Sequence, residues 1–208
     1  RSSCNATPRA VRAPLSAPGG WSMAFRLFLL AVLFTSSVSA AEVAGVKLED
    51  ETQVGNASLA LNGAGLRKRL FFQVYAMGLY LPQRTAAAGE AIGAAGPKRI
   101  AIHMLRDVGA EQFSEALADG IRANHSEADA KALEPRVREL AATMAEVGEA
   151  KKGMAITLDW TGSATQVRID GKPAGSPIAG EDFYRGLLRI WLGEQPVQED
   201  LKKALLGG

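Results

Sequence analysis

Leu61-Asn62-Gly63-Ala64-Gly65-Leu66-Arg67-Lys68-Arg69-Leu70-Phe71-Phe72-Gln73-Val74-Tyr75-Ala76-Met77-Gly78-Leu79-Tyr80-Leu81 is the stretch that decides the fold. Its second half, Leu70–Leu81, is dense in aromatic and branched residues and stops at Pro82, the pattern of a β-strand. Strict alternation puts Phe71, Gln73, Tyr75 and Met77 on one face and Phe72, Val74, Ala76 and Gly78 on the other. Apolar groups stand on both faces, so this is expected to be a central strand covered on both sides. The first half reads as a short strand, Ser58–Leu61, followed by a turn over Asn62-Gly63-Ala64-Gly65, with Arg67 just beyond it.

Working outward, Val43–Leu48 reads as a short edge strand, Thr85–Ala95 as a weak helix or loop and Arg99–Leu105 as a further strand. Glu111–Ala123 predicts a helix that buries Phe113, Leu117 and Ile121. A second helix, from Glu127 to Val147, carries Leu133, Val137, Leu140, Met144 and Val147 at three-four spacing, with Pro135 at a first-turn position or a kink. Met154–Trp160 and Thr165–Ile169 form a hairpin, and the turn Asp170-Gly171-Lys172 leads to another extended piece. Helices over Gly180–Leu192 and Val197–Leu206 follow. Strands first, helices in the middle, then a hairpin and terminal helices imply an α+β domain with a largely antiparallel sheet packed against helices.

Ahead of that domain lies a segment of different character. Met23-Ala24-Phe25-Arg26, the apolar run Leu27–Phe34 and the small residues Ser36–Ala40 have the pattern of a cleavable secretory signal peptide over residues 23–40. The apolar run spans only about 12 Å of helix, too short for a membrane anchor. Residues 1–22 read as a disordered or untranslated leader, and residues 41–208 as the working domain, exported and destined for a Gram-negative periplasm. No transmembrane segment is expected in the mature chain.

Removing the leader takes Arg1, Arg9, Arg12 and Arg26, so 24 basic residues less those four leaves 20 against 22 acidic ones. A slightly acidic domain gives no basis for nucleic-acid binding. The single cysteine, Cys4, leaves too, and with it any disulfide, zinc-thiolate site or thiol nucleophile. His103 and His125 are far apart without ligand spacing, so neither metal nor cofactor is expected. A Gly-x-Ser-x-Gly elbow is missing, and Gly63-Ala64-Gly65 lacks the third glycine of a dinucleotide loop.

Four segments in order then resemble the chalcone isomerase family. They are Leu61–Arg67 (a Gly-x-Gly-x-Arg run), Phe72–Leu81 (ending Gly-Leu-Tyr-Leu), Glu111–Glu115 at the start of a pocket-lining helix, and Phe183–Gly193 continuing to Pro196. The last is similar to the C-terminal signature of a bacterial, secreted branch. The resemblance spans nearly all of residues 41–207 and implies a ligand cleft between a long antiparallel sheet and a helical layer.

It also implies roles. Arg67 falls at the family's substrate-binding arginine, and a guanidinium can hold a carboxylate in a fork. Tyr75 stands where the isomerases have a threonine; in the plant fatty-acid-binding branch an arginine and a tyrosine clasp a fatty-acid carboxylate together. Phe113, Ala116 and Gly120 replace the tyrosine, lysine and asparagine of true isomerases, which removes the donors and the cation that chalcone cyclisation needs. Tyr184 falls near a small hydroxyl residue of the enzymes. Phe71, Met77, Leu117, Leu188 and Trp191 are apolar residues that either line the cleft or fill the core. Ligand-binding residues are thus expected at Arg67, Tyr75, Met77, Phe113 and Tyr184, with no catalytic set. The implied function is non-catalytic binding of a small amphipathic carboxylate such as a fatty acid. An isomerase (intramolecular lyase) of unknown substrate, or a structural or partner-binding envelope protein with a filled core, are the alternatives.

Overall fold

A computed structural model describes residues 40–208, so the expected leader and signal peptide lie outside the described residues. In chain order the strands and helices are β1 (Ala41–Val43), β2 (Val46–Leu48), β3 (Glu51–Val54), β4 (Ala57–Arg69), β5 (Phe72–Leu81), α1 (Ala88–Gly93), β6 (Lys98–Met104), β7 (Val108–Gly109), α2 (Ala110–Ala123), α3 (Glu127–Val147), β8 (Glu149–Ala150), β9 (Ala155–Trp160), β10 (Ala164–Ile169), β11 (Lys172–Ala179), α4 (Glu181–Leu192) and α5 (Glu199–Leu205). Seven strands form one antiparallel sheet in the order β11-β10-β9-β6-β5-β4-β3. The class is α+β.

The expected turn at Asn62–Gly65 is instead the interior of β4, and the chain reverses at Leu70-Phe71, between the paired Arg69 and Phe72. Two irregularities interrupt the β4–β5 ladder. Leu61 faces Tyr80 but Gly63 faces Leu79, so Asn62 is an extra residue on β4; Arg67 faces Tyr75 but Lys68 faces Gln73, so Val74 is extra on β5. Such bulges sharpen the local twist and break simple alternation. Phe72 therefore shares a face with Tyr75, against the strict-alternation expectation.

Asn62 has a reason to bulge. Its amide donates to the carbonyls of Thr85 (3.0 Å) and Leu205 (2.7 Å) and accepts from the Thr85 N–H (2.7 Å). Buried, it ties β4 to the segment before α1 and to the end of α5. The neighbouring glycines serve the same contact. A Cβ on Gly63 would strike the Ala204 carbonyl oxygen, and one on Gly65 would lie 2.7 Å from Leu201 Cδ1. Gly63 and Gly65 thus bring a helix close to a strand; they are not turn residues.

β5 is central and covered on both sides, by different means. One face packs under the helices in the main core, with Met77, Leu79, Leu81, Ile100, Ile156, Leu187 and Leu201. The other holds a small cluster of Leu48, Val54, Leu59, Leu61, Tyr80 and Ala101, capped by the β1–β2 ribbon. Val43–Leu48 is therefore part of a separate two-stranded ribbon and not an edge of the main sheet, whose edges are β3 and β11. On this outer face Arg99 makes a forked ion pair with buried Asp159, at 2.6 and 2.7 Å.

Helix α3 starts at Ser126, whose hydroxyl accepts from the Asp129 N–H at 3.1 Å, a side-chain cap. Pro135 lies inside α3, beyond its first turn, so its nitrogen donates no bond to Lys131. The stripe of α2 buries Leu117 and Ile121, and Gly120 lets it approach α4: a Cβ there would lie 2.8 Å from Ile190 Cγ2. Helix α4 is buried along Phe183, Tyr184, Leu187, Leu188, Ile190, Trp191 and Leu192. Its Tyr184 hydroxyl donates to the Leu158 carbonyl at 3.0 Å, anchoring the helix to β9. The hydrophobic stripes of α2, α3 and α4 meet the sheet over most of its area and leave a gap at the end nearest the β4–β5 turn.

Candidate ligand-binding site

That gap is a cavity of about 420 Å³. The sheet supplies Tyr75, Ile102, Met104, Ile156 and Leu158; α2 supplies Phe113, Ala116 and Leu117; α4 supplies Ile190 and Trp191. Arg67, Arg69, Arg106 and Gln112 also border it, and among the described residues no carboxylate does. An apolar chamber with cationic groups on its border suits a greasy molecule carrying a negative group.

Arg67 comes from the end of β4 that faces the Val74 bulge of β5, directly across the ladder from Tyr75. Its Nη1 donates to the Lys68 carbonyl at 2.7 Å and to Gln198 Oε1 at 3.3 Å, and it joins no ion pair among the described residues. Gln198 fixes this stretch of strand: its Oε1 accepts from the Lys68 N–H at 2.8 Å and its Nε2 donates to the Leu66 carbonyl at 3.1 Å. The guanidinium is therefore oriented, and no carboxylate among the described residues forms an ion pair with it.

Tyr75 is partly accessible through the cavity and otherwise enclosed by protein atoms. The Trp191 indole N–H donates to its hydroxyl oxygen at 2.9 Å. Burial raises the Tyr75 pKa above the usual phenol value, outweighing the bond from Trp191 and the positive charge of Arg67, which both lower it. The phenol therefore keeps its proton at neutral pH and can donate it to an anion.

Of the five residues expected at the site, the structure brings Arg67, Tyr75 and Phe113 to one cavity. Met77 does not line it: it sits 1% exposed in the core, opposite Gly65, where α5 packs. Tyr184 is fully buried, and its hydroxyl is spent on Leu158. Among the other apolar candidates Leu117 and Trp191 line the chamber, Leu188 is core, and Phe71 is 98% exposed on the hairpin tip. Ala116 faces the cavity, whereas Gly120 is taken up by the contact with Ile190.

Arg106 was the residue least legible in the sequence. Its guanidinium lies 4.9 Å from the centre of the Phe72 ring, while the neighbouring Asp107 accepts from the Lys152 N–H. Only the bulge at Val74, which turns Phe72 toward the cavity, explains that placement.

Comparisons agree with this architecture. Residues 40–207 match the family model described as chalcone isomerase-like, and the chain belongs to that family. Among solved structures, the chain is similar to the crystal structure of an Arabidopsis thaliana fatty-acid binding protein. The TM-score is 0.62 at 15% identity, over 78% of this chain and 92% of that one. At that identity the likeness concerns the fold. Comparison with curated protein sequences gives no match.

Proposed function

We propose that the protein is a non-catalytic binder of a small amphipathic carboxylate, with a fatty acid as the preferred class. The observation that carries this is the pairing of Arg67 and Tyr75, a cation in no ion pair among the described residues beside a protonated phenol, at an otherwise apolar chamber. The carboxylate would accept from both groups while the acyl chain runs between the sheet and α2 and α4. The similar Arabidopsis structure is of a fatty-acid binding protein, which fits the same reading. Phe113 and Ala116 offer neither proton donor nor cation on the helix wall, which argues against chalcone cyclisation. The open chamber also disfavours a purely structural role with a filled core. We further propose export to a bacterial envelope, in keeping with the signal-peptide pattern of residues 23–40.

The test is native mass spectrometry of the purified protein with organic extraction of bound material, followed by calorimetric titration with a fatty acid. Co-purified acyl carboxylates and micromolar binding support the reading; an empty protein that takes up no fatty acid ends it. One observation favours a rival, since Tyr75 beside Arg67 could also protonate a substrate. A pH-dependent isomerisation lost in Tyr75→Phe would establish that enzyme reading instead.

A further inference from the structure

The tip of the β4–β5 hairpin is built unlike the rest of the surface. Leu70, Phe71 and Phe72 are consecutive and exposed to 84%, 98% and 57%, and they are the large apolar side chains most open to solvent among the described residues. Leu70 holds a positive φ of 56°, which a β-hairpin normally assigns to glycine or asparagine. A leucine placed there, at a conformational cost, suggests a use for its side chain. The hairpin also overhangs its neighbour: β6 ends beside Val74, where the Leu105 N–H reaches the Val74 carbonyl, and residues 72 and 73 project past it.

Basic groups surround the apolar tip. Lys68 and Arg69 precede it and Arg106 lies against Phe72. By the antiparallel order, the turns bearing Lys151, Lys152 and Lys172 fall at the same end of the sheet. The acids there are partly occupied: Asp107 accepts from the Lys152 N–H and Asp170 from the Ala155 N–H. Glu111 and Glu149 stand on the start of α2 and on β8. Three projecting apolar side chains within a basic collar match an anionic lipid bilayer, acyl chains below and phosphates above. A second copy fits worse, because a two-fold pairing of tips would set Lys68, Arg69 and Arg106 against themselves.

We propose that this tip docks on anionic membranes. Leu70, Phe71 and Phe72 enter the acyl region, and Lys68, Arg69 and Arg106 engage headgroup phosphates. Leu70 and Phe72 also border the cavity, so docking sets its mouth against the lipid. The passage of cargo between bilayer and chamber rests on the fatty-acid reading, whereas the docking itself does not.

The experiment is sedimentation of the protein with vesicles of equimolar phosphatidylcholine and phosphatidylglycerol, beside vesicles of phosphatidylcholine alone. Binding is expected to the mixed vesicles, weakened by about 0.5 M salt. Phe71→Ser and Lys68→Glu should each lower it about tenfold. Phe71 does not line the cavity, so calorimetric titration of Phe71→Ser with a fatty acid, without vesicles, should match the parent protein. Failure to sediment with mixed vesicles overturns the proposal, as does undiminished binding of both variants. Dimerisation that Phe71→Ser abolishes, seen by sedimentation velocity without vesicle binding, assigns the tip to self-association and overturns it too. Vesicle binding with no fatty-acid uptake would leave docking in place and remove only the cargo.

Discussion

The Trp191 indole N–H donates to the Tyr75 hydroxyl across 2.9 Å, and this fixes where Tyr75 can itself donate. With one lone pair engaged from α4, the phenolic proton is left for a second acceptor, and Arg67 stands across the ladder to share it. Removing the hydroxyl should therefore weaken an anionic ligand more than it disturbs the fold. Tyr75→Phe is expected to lower fatty-acid affinity at least tenfold, since bonds to charged groups contribute about 1.5–3 kcal/mol. Calorimetry measures it, and an unchanged Kd would remove Tyr75 from the anchor. Tyr184→Phe provides the contrast, because its hydroxyl serves Leu158 and should leave affinity unaltered.

Ala116 faces the chamber from α2 and has room in front of it. Ala116→Phe should fill part of that volume, abolish uptake of long acyl chains and keep the thermal midpoint at or above that of the parent. Cavity filling with a favourable rotamer stabilises, while the tail loses its space. Titration with short and long fatty acids tests it: equal uptake of both would place the tail elsewhere.

Arg99 and Asp159 form the forked pair on the outer face, with Asp159 only 3% exposed. Breaking one side of a buried pair leaves the other charge uncompensated, at a cost of about 3–5 kcal/mol. Asp159→Asn should lower the urea midpoint accordingly yet leave ligand affinity intact, because the pair lies across the sheet from the cavity. A loss of affinity at full occupancy of the fold would contradict that separation.

His103 is half-buried on β6, and burial lowers its pKa below the ordinary 6.5. The unfolded chain therefore takes up the proton first as pH falls. Stability contributed by neutral His103 is complete above 6.5 and is lost as pH drops through the folded value. Unfolding curves at about pH 7 and about pH 5 should diverge, and His103→Gln should narrow the difference. Parallel behaviour of the two proteins would exclude His103 as the source.

Much of the secondary structure was legible because its causes are local. The stripe of α2, the β9–β10 hairpin and the apolar run of β5 follow from period and composition. What could not be read depends on distant segments. Gly63 and Gly65 look like turn residues until α5 is seen lying on them. Leu70-Phe71 look like strand interior, because an exposed apolar tip has the same composition as a buried one. At the site, Arg67, Tyr75 and Phe113 came with the family resemblance, and their joint placement at the cavity is new. Met77 shares the face of Tyr75 but lies under α5, and no local signal marks where a helix ends its cover. Arg106 and Gln198 are brought in by the bulge and by the cap of α5, both tertiary facts.

Asn62 and Val74, one extra residue on each strand, have a consequence for how this hairpin can change in length. Each sits outside the regular ladder, so losing either would still leave Arg67 opposite Tyr75 on the inner face. The two positions bracket the anchor, one tied down by the Asn62 amide and the other next to the exposed tip. A change in the length of the tip falls beyond Val74, and the polar pair inside keeps its phase.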